Sequence, residues 1–492
     1  MTLFRASLLL ALVPLAGVAH ADDTTAPARV DQATAARQAD RLLAELVTHN
    51  SVPGMGAAVW QDGRIVWRGS AGFRDLAARR PVDADTVFRL ASVSKLITVA
   101  AAAQLADAGK LDLDAPVATL WDGVNPEWAP FTLRQLAAHT AGLPHYQAQD
   151  ADRGRIAYPR ATDAVAIFRE RPLLSAPGRA YSYSSWGYTL ISAVVEARSG
   201  QSFLDYVARH VTPGLRIGPD ATHGGDADAS KAYALDGDGR AVEAPRHDYS
   251  YTWGGGGFGA TASALAEFGG RMQRGQVVSA ERFADMLVPA RLDDGSEVRS
   301  DDYTVGFGWR TLTDLEGRLR AQHAGVTLGA RSSLVTWPQL PSAEQTAATL
   351  LSNMEWVSSI DQSAAMLAAP FQAAPAGLVS GPCPTAATRF RGTLRDDDAT
   401  GAAHFTEEDG SCIGTLQPEG ALKAYFDQFP QPDRDTLRLV GLYPGHGLAR
   451  AALVTPIGLY DLRATADGQF VARLGASSEL RFTLDGATPH AP

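Results

Sequence analysis

The sequence predicts an α+β fold: an antiparallel sheet flanked by helices with a helical subdomain, followed by a small C-terminal all-β barrel or sandwich. Three observations carry this. A helix and a hairpin open the chain, strands and a helix return after about Leu312, and the stretch between is mainly helical, so front and back strands share one sheet with helices packed on it. Past an Ala/Pro/Gly-rich linker, Phe371–Pro384, the pattern changes to short strands separated by turns. With 492 residues, 45% hydrophobic and 20% charged, the chain accommodates two domains and a large core. The expected division is a leader at 1–21, a main domain at 31–372 and a small β domain at 383–492.

Taken in order, Asp31–Thr48 has helical spacing, with Leu42, Leu43, Leu46 and Val47 as the apolar stripe. Met55–Trp60 and Arg64–Arg68 flank Asp62-Gly63, a strong hairpin signal. From Ser92 the Ala- and Leu-rich run to Ala108 reads as a helix that stops at Gly109. Thr132–Ala138 is a short helix leading into His139-Thr-Ala-Gly-Leu-Pro144. Pro177–Ser185 is a turn and tight polar loop before a helix from about Tyr188 to Ala197, closed by Gly200. The glycine run Gly254–Gly257 lacks the Lys-Ser/Thr ending of a phosphate loop and reads as close backbone packing beside a pocket. Arg318–His323, Ser332–Trp337 and Ala347–Leu351 are strands, and Asp361–Ala369 is the last helix of the main domain. Leu437–Tyr443, Ala451–Val454, Gly458–Arg463, Gln469–Leu474 and Glu479–Leu484 are the strands expected in the C-terminal domain.

Residues Met1–Ala21 have the form of a signal peptide: Arg5, the apolar run Ala6–Val18, and Ala19-His20-Ala21 as a small-x-small cleavage site. The apolar run is too short for a permanent span, and no later run is long enough to cross a membrane. The expectation is a periplasmic or secreted protein with no membrane insertion after cleavage. In that compartment Cys383 and Cys412, the two cysteines, are expected to form a disulfide. The net charge of −10 and the absence of a basic patch argue against nucleic acid. No HExxH or Cys/His cluster suggests a metal, and no cofactor is expected.

The chemistry-bearing stretch is Ser92-x-x-Lys95. Residues three apart on a helix share a face, so the Lys95 amine reaches the Ser92 hydroxyl. A serine becomes a good nucleophile when a base takes its proton, and lysine is such a base only when neutral. Burial and neighbouring positive charge both favour the neutral amine. Backbone N–H groups at a helix start can also hold a developing oxyanion.

With Tyr183-Ser184-Ser185-x-Gly187-Tyr188 and His323-Ala324-Gly325 added, the chain resembles the class C β-lactamase and DD-peptidase group of serine hydrolases over about Asp31–Ala369. His139–Pro144, Gly306-Phe-Gly-Trp309 and Leu351-Ser-Asn353 support the match. The resemblance implies Ser92 as the acylated nucleophile, Lys95 as base or supporting charge, and Tyr183 as a phenol that shuttles a proton to the leaving group. A tyrosine acts as base only beside a cation such as Lys95, and the resemblance leaves open which of the two takes the proton first. His323 stands where β-lactamases carry lysine and is expected to hydrogen-bond the substrate carboxylate or Tyr183. Gly325 belongs to the same motif, and the Val326 N–H with that of Ser92 is the implied oxyanion hole. Arg331, beside that motif, is a further attractor of a carboxylate outside the core set, and His139 is expected to be scaffold.

One departure matters. The second motif usually reads Tyr-x-Asn, and here Ser185 replaces the asparagine, a hydroxyl in place of an amide. Ser185 still offers Lys95 a contact, but the carbonyl that grips a substrate amide is gone. The histidine in the third motif is more like the family's D-amino-acid peptidases than its β-lactamases. The expectation is therefore an acyl-enzyme hydrolase of small peptide, amide or ester substrates, D-amino-acid-containing peptides first, with an esterase or weak β-lactamase as the alternative. A penicillin- or peptide-binding protein without turnover is the rival from another class. Oligomeric state is not written in the sequence.

Overall fold

The computed structural model describes residues 30–485 except 151, 221–225, 301, 356–358, 376–377, 379–381, 385–386, 430–434 and 476–477, so the expected leader Met1–Ala21 lies outside the described residues. Helix α1 (Gln32–Asn50) begins where the Asp31 carboxylate accepts from the Thr34 N–H, and its Leu42, Leu43 and Leu46 are buried. Eight strands follow in one sheet: β1 (Gly54–Gln61), β2 (Arg64–Asp75), β3 (Arg80–Pro81), β4 (Thr304–Val305), β5 (Arg310–Thr313), β6 (Leu319–Thr327), β7 (Ala330–Thr336) and β8 (Thr346–Ser352). Their order is β3-β2-β1-β8-β7-β6-β5-β4. The antiparallel pairing of β1 with β8, from Met55 opposite Ser352 to Gln61 opposite Thr346, joins the front hairpin to the back strands.

Both faces of this sheet are covered, which is why β1 reads as an almost unbroken apolar run. Met55, Ala57 and Val59 pack towards α1 and α5 (Ile360–Ala368). Ala58 and Trp60 face the other way, into the core shared with α2 (Ser94–Asp107), α3 (Ser185–Ser199) and α4 (Ala262–Gln273). Helix α4 approaches the sheet so closely that a Cβ on Gly270 would stand 2.3 Å from the Trp60 ring. Helix α2 is buried on every side from Ser94 to Ala103, so it is a central strut rather than a surface helix.

The strand carrying the His323 motif is longer than its sequence pattern: β6 runs on to Thr327, so Ala324–Val326 lie within the sheet and pair with Arg331–Ser333. Helix α3 starts at Ser185 rather than Tyr188, because the Ser184 hydroxyl accepts from the Gly187 N–H and caps it earlier.

The C-terminal region is a closed antiparallel barrel of eight strands: β9 (Thr388–Leu394), β10 (Asp397–Glu408), β11 (Ser411–Glu419), β12 (Leu437–Gly441), β13 (Arg450–Thr455), β14 (Gly458–Ala464), β15 (Phe470–Gly475) and β16 (Ser478–Leu484). Pairing of β9 with β16 closes it. Cys383 and Cys412 are disulfide-bonded, tying the segment before β9 to β11. The barrel has its own interior, but its outer residues Ile413, Val440, Leu442, Val454 and Leu459 also join the core under α1 and α5. Polar ties reinforce the seam: the Asn50 amide donates to Thr455 O at 3.1 Å, and the Leu459 N–H donates to Ser363 Oγ at 3.0 Å. Among the described residues no helix is long and apolar enough to cross a membrane.

Candidate active site

Ser92 lies in a tight 3₁₀ turn, Ala91–Val93, that feeds α2. Ala91 has φ 45°, the left-handed region that a residue with a Cβ seldom occupies. Ala91 and Val93 are buried while Ser92 between them stays partly exposed. One turn on, Lys95 is wholly buried. Its Nζ stands 3.1 Å from Ser92 Oγ, 2.9 Å from Ser185 Oγ and 2.6 Å from the Gly255 carbonyl. The Tyr183 hydroxyl is 2.9 Å from Ser92 Oγ. Segments about 90 residues apart in sequence thus converge on one hydroxyl.

The supports of this cluster are local. His139 accepts the Ser184 N–H on Nδ1 at 3.1 Å, and its carbonyl accepts from the Ser182 N–H at 2.8 Å. Its ring centroid lies 4.3 Å from that of Tyr183. His139 therefore holds the Tyr183 loop from both sides, a positioning role. His145 Nδ1 accepts the Ser185 N–H at 3.3 Å and fixes the start of α3. The glycine run packs backbone to backbone: a Cβ on Gly254 would stand 2.6 Å from Tyr188 O, and one on Gly255 2.9 Å from Ser185 O. Bare backbone at this point brings the Gly255 carbonyl to Lys95.

A cavity of about 600 Å³ opens over Ser92, lined by Tyr183, Ser185, Arg310 and the backbone run Ala324–Leu328. Gly325 is where β6 meets the nucleophile turn, since a Cβ there would lie 2.4 Å from Leu90 O and 2.9 Å from Ser92 N. Val326 is 46% exposed at the cavity rim, and Arg331, opposite it in β7, also lines the cavity. Among the described residues, none of the barrel lines it.

His323 departs from its expected place. Its side chain is 1% exposed and does not line the cavity, and its Nδ1–H donates to Ala324 O at 2.7 Å. Burial, then the charges of Arg310 and Lys95, hold its pKa well below the ordinary histidine value. A buried, neutral imidazole tied to its own strand is not a receptor for a carboxylate.

Of the arginines that line the cavity, Arg153, Arg310 and Arg331, it is Arg310 that stands beside Tyr183, and no motif marked it. It sits 4.5 Å from the ring centroid of Tyr303 and 5.8 Å from that of Tyr183. Among the described residues its guanidinium has no hydrogen-bond acceptor and no carboxylate partner. Pairing of β5 with β6, Arg310 opposite Gln322, is what delivers it here.

The electrostatics follow from burial and these two cations. Burial pulls the Lys95 pKa below the lysine range, opposed by Tyr183 and aided by Arg310. Burial raises Tyr183, but the charges of Lys95 and Arg310 outweigh it, and the phenol ends below its usual value. Burial, with Lys95 and Arg153, takes His145 down to about 4. His139 is likewise held well below its ordinary value by burial and then Lys95. The basic groups touching Ser92 are thus poised to exchange protons while the histidines around them stay neutral.

Comparison with known proteins identifies the family. The family model described as Beta-lactamase matches residues 39–368. The chain is 26% identical over 391 residues, 61% of this chain and 71% of the relative, to the human mitochondrial serine beta-lactamase-like protein LACTB. It is 32% identical over 194 residues, 35% of this chain and 47% of the relative, to Esterase EstB of Burkholderia gladioli. The octameric penicillin-binding protein homologue from Pyrococcus abyssi shares the fold, with a TM-score of 0.56 at 19% identity over 90% of this chain and 99% of that one. With a family model spanning most of its length and the nucleophile cluster inside the matched region, the chain belongs to the beta-lactamase family of serine hydrolases.

Proposed function

We propose that the chain is an exported hydrolase that works through an acyl-enzyme on D-amino-acid-containing peptides or related amides and esters. The observation that carries the reading is Ser92 Oγ held within hydrogen-bond reach of both Lys95 Nζ and Tyr183 OH, with an unpaired Arg310 on the same cavity. Lys95 and Tyr183 share the proton inventory. With Lys95 as ammonium, its three N–H groups match Gly255 O, Ser185 Oγ and Ser92 Oγ, and a Tyr183 phenolate is the base. The Ser92 proton passes to Tyr183 as Oγ bonds to the substrate carbonyl carbon. The same phenol then protonates the leaving amine or alkoxide as the tetrahedral intermediate collapses, and water repeats the sequence to release the acid. The Ser92 and Val326 N–H groups are assigned the developing oxyanion.

Arg310 favours a substrate with a carboxylate beside the scissile bond, as at a C-terminal D-residue, because a guanidinium pairs bidentately with a carboxylate. The ester reading has its own support, the likeness to EstB and the loss of the amide at Ser185. A panel of D-Ala-D-Ala peptides, p-nitrophenyl esters and nitrocefin, run with Ser92→Ala beside wild type, tests both. Peptide turnover above ester turnover supports the first reading, and turnover that survives Ser92→Ala sinks both. Stoichiometric acylation without release would mark a binding protein instead. Export rests on the Met1–Ala21 pattern; recovered protein beginning at Asp22 supports it, and a retained leader rejects it.

A further inference from the structure

On β6 the pleat sends Ala321 into the core with α4 and sends Arg320 and Gln322 to the opposite face. There they line a cleft of about 970 Å³ between the hydrolase domain and the barrel, with Asp361 and Gln362 of α5 on one wall and Arg473 of β15 on the other. Most charges along this cleft are matched: Arg318 with Asp314 and Glu316, and Arg450 with Asp461.

One pair is not. Arg320 is 8% exposed; its Nη1 donates to Gln362 Oε1 at 3.1 Å, its Nε is buried without an acceptor, and no carboxylate of the described residues stands within ion-pairing distance. Asp361 accepts from Gln322 Nε2 at 2.9 Å and Ser333 Oγ at 3.1 Å; no basic group of the described residues stands within ion-pairing distance of it, and the charges of Arg310, Arg320 and Arg331 reach it only from further off. Gln322 Oε1 and Gln372 Nε2, on the same cleft, are buried with no partner. Buried charges are ordinarily paired, and buried polar atoms ordinarily bonded. Here a guanidinium and a carboxylate are held apart by two glutamines, both opening on one cleft.

We propose that this cleft binds a small zwitterion of the amino-acid type, its carboxylate on Arg320 and its ammonium on Asp361. A bare oxyanion would pair with Arg320 but meet the Asp361 charge, and a bare cation would meet the reverse, so a ligand carrying both charges fits the pair best. Burial works against the Arg320 charge and Asp361 is its largest compensation from within the protein; a ligand carboxylate adds to it. Such a ligand would sit on the hydrolase-domain wall of the cleft, facing Arg473 of the barrel, and the inference is independent of the catalytic reading.

Glycine, D-alanine, acetate and methylammonium, titrated into the full-length protein by calorimetry and by thermal melting, test this. Saturable binding of glycine or D-alanine is expected, with a rise in Tm and with acetate and methylammonium at least tenfold weaker. Arg320→Met and Asp361→Asn should each weaken binding at least tenfold. Absence of saturable amino-acid binding, acetate binding as tightly as glycine, or binding indifferent to both substitutions overturns the proposal. So does an Arg320→Met protein that fails to fold, since a charge kept for a ligand is not needed by the empty protein.

Discussion

Arg310 and Arg450 are both guanidiniums sunk into the protein, one at the catalytic cavity and one in the barrel wall, and their surroundings are opposite. Arg450, 6% exposed, forks onto Asp461 at 3.0 and 2.8 Å, with Tyr443 and Glu316 completing its shell. Arg310 has two aromatic faces and, among the described residues, no acid at ion-pairing distance, only the more distant charge of Asp361. The contrast extends outward. The seam between α1 and the barrel closes apolar residues and pairs its charges, Arg41 with Glu408 and Asp409 and Glu45 with Arg438. Around Ser92, Arg310 stands with no acid of the described residues at ion-pairing distance, and burial holds His139, His145 and His323 neutral. Under the proposed function, paired charge holds this molecule together, and the unpaired guanidinium of Arg310 is kept for a substrate carboxylate.

The largest effect should come from deleting the seam. Ending the chain near Ala373 strips Ile413, Val440, Leu442, Ala452, Val454 and Leu459 from the shared core. At roughly 1.5–3 kcal/mol for each large side chain, the loss rivals the 5–15 kcal/mol that holds a typical domain. The truncated protein should lose its cooperative thermal transition in circular dichroism. A sharp melt with intact activity would make the barrel an appendage instead. Next is Arg450→Met, which sets a buried apolar group against Asp461 and Glu316 and leaves them, among the described residues, only Arg463 and Arg318 as partners. Breaking one side of such a pair costs about 3–5 kcal/mol, so Tm should fall by many degrees while kcat per folded molecule is unchanged.

How much of this contrast was legible depends on where the information sits. Ser92, Lys95, Tyr183 and Ser185 announce themselves by short spacing and by shared motifs, and the two cysteines by their number. The Gly255 carbonyl under Lys95 carries no side-chain sign, and Arg310 is one arginine among many until β5 pairs with β6. His323 was assigned by its motif, but its Nδ1–H is spent on Ala324 O and its ring is buried, facts that belong to packing. In the barrel, β12 to β16 show apolar runs. Strands β9 to β11 did not read as strands: β10 buries Ala399, Gly401 and Ala403, small residues whose alternation with polar ones gives little hydrophobic signal. The early start of α3 was hidden because a serine cap is local chemistry that periodicity does not see.

Arg310→Met should invert the Arg450 result. A hydrogen-bonded charged pair contributes about 1.5–3 kcal/mol, so kcat/KM for a substrate with a carboxylate beside the scissile bond should drop roughly 10- to 100-fold. Tm should change little, because no acid of the described residues stands within ion-pairing distance of Arg310 and Asp361 acts on it only from further off. Arg310 also lowers the pKa of both Lys95 and Tyr183, so its removal should shift the pH profile of kcat/KM to higher pH. A drop in Tm with an unshifted profile would make Arg310 structural.

The smallest effect probes the neutral histidines. His145 has a folded pKa of about 4 against about 6.5 for a free imidazole, because burial and then Lys95 and Arg153 disfavour its charge. Its Nδ1 must stay unprotonated to accept from the Ser185 N–H. The unfolded chain binds a proton here that the folded one refuses. The contribution is therefore complete above about pH 6.5 and is lost as pH falls towards 4. At pH 5.5 the loss from a fully sequestered imidazole is about 1.4 kcal/mol, and partial solvent access at His145 reduces it to roughly 1 kcal/mol. Denaturant unfolding at pH 7.5 and 5.5 should show wild type losing about that much more stability than His145→Gln. Equal losses in the two proteins would place the acid sensitivity at His139 and His323, the more deeply buried pair, and would detach the Ser185 end of α3 from the titration altogether.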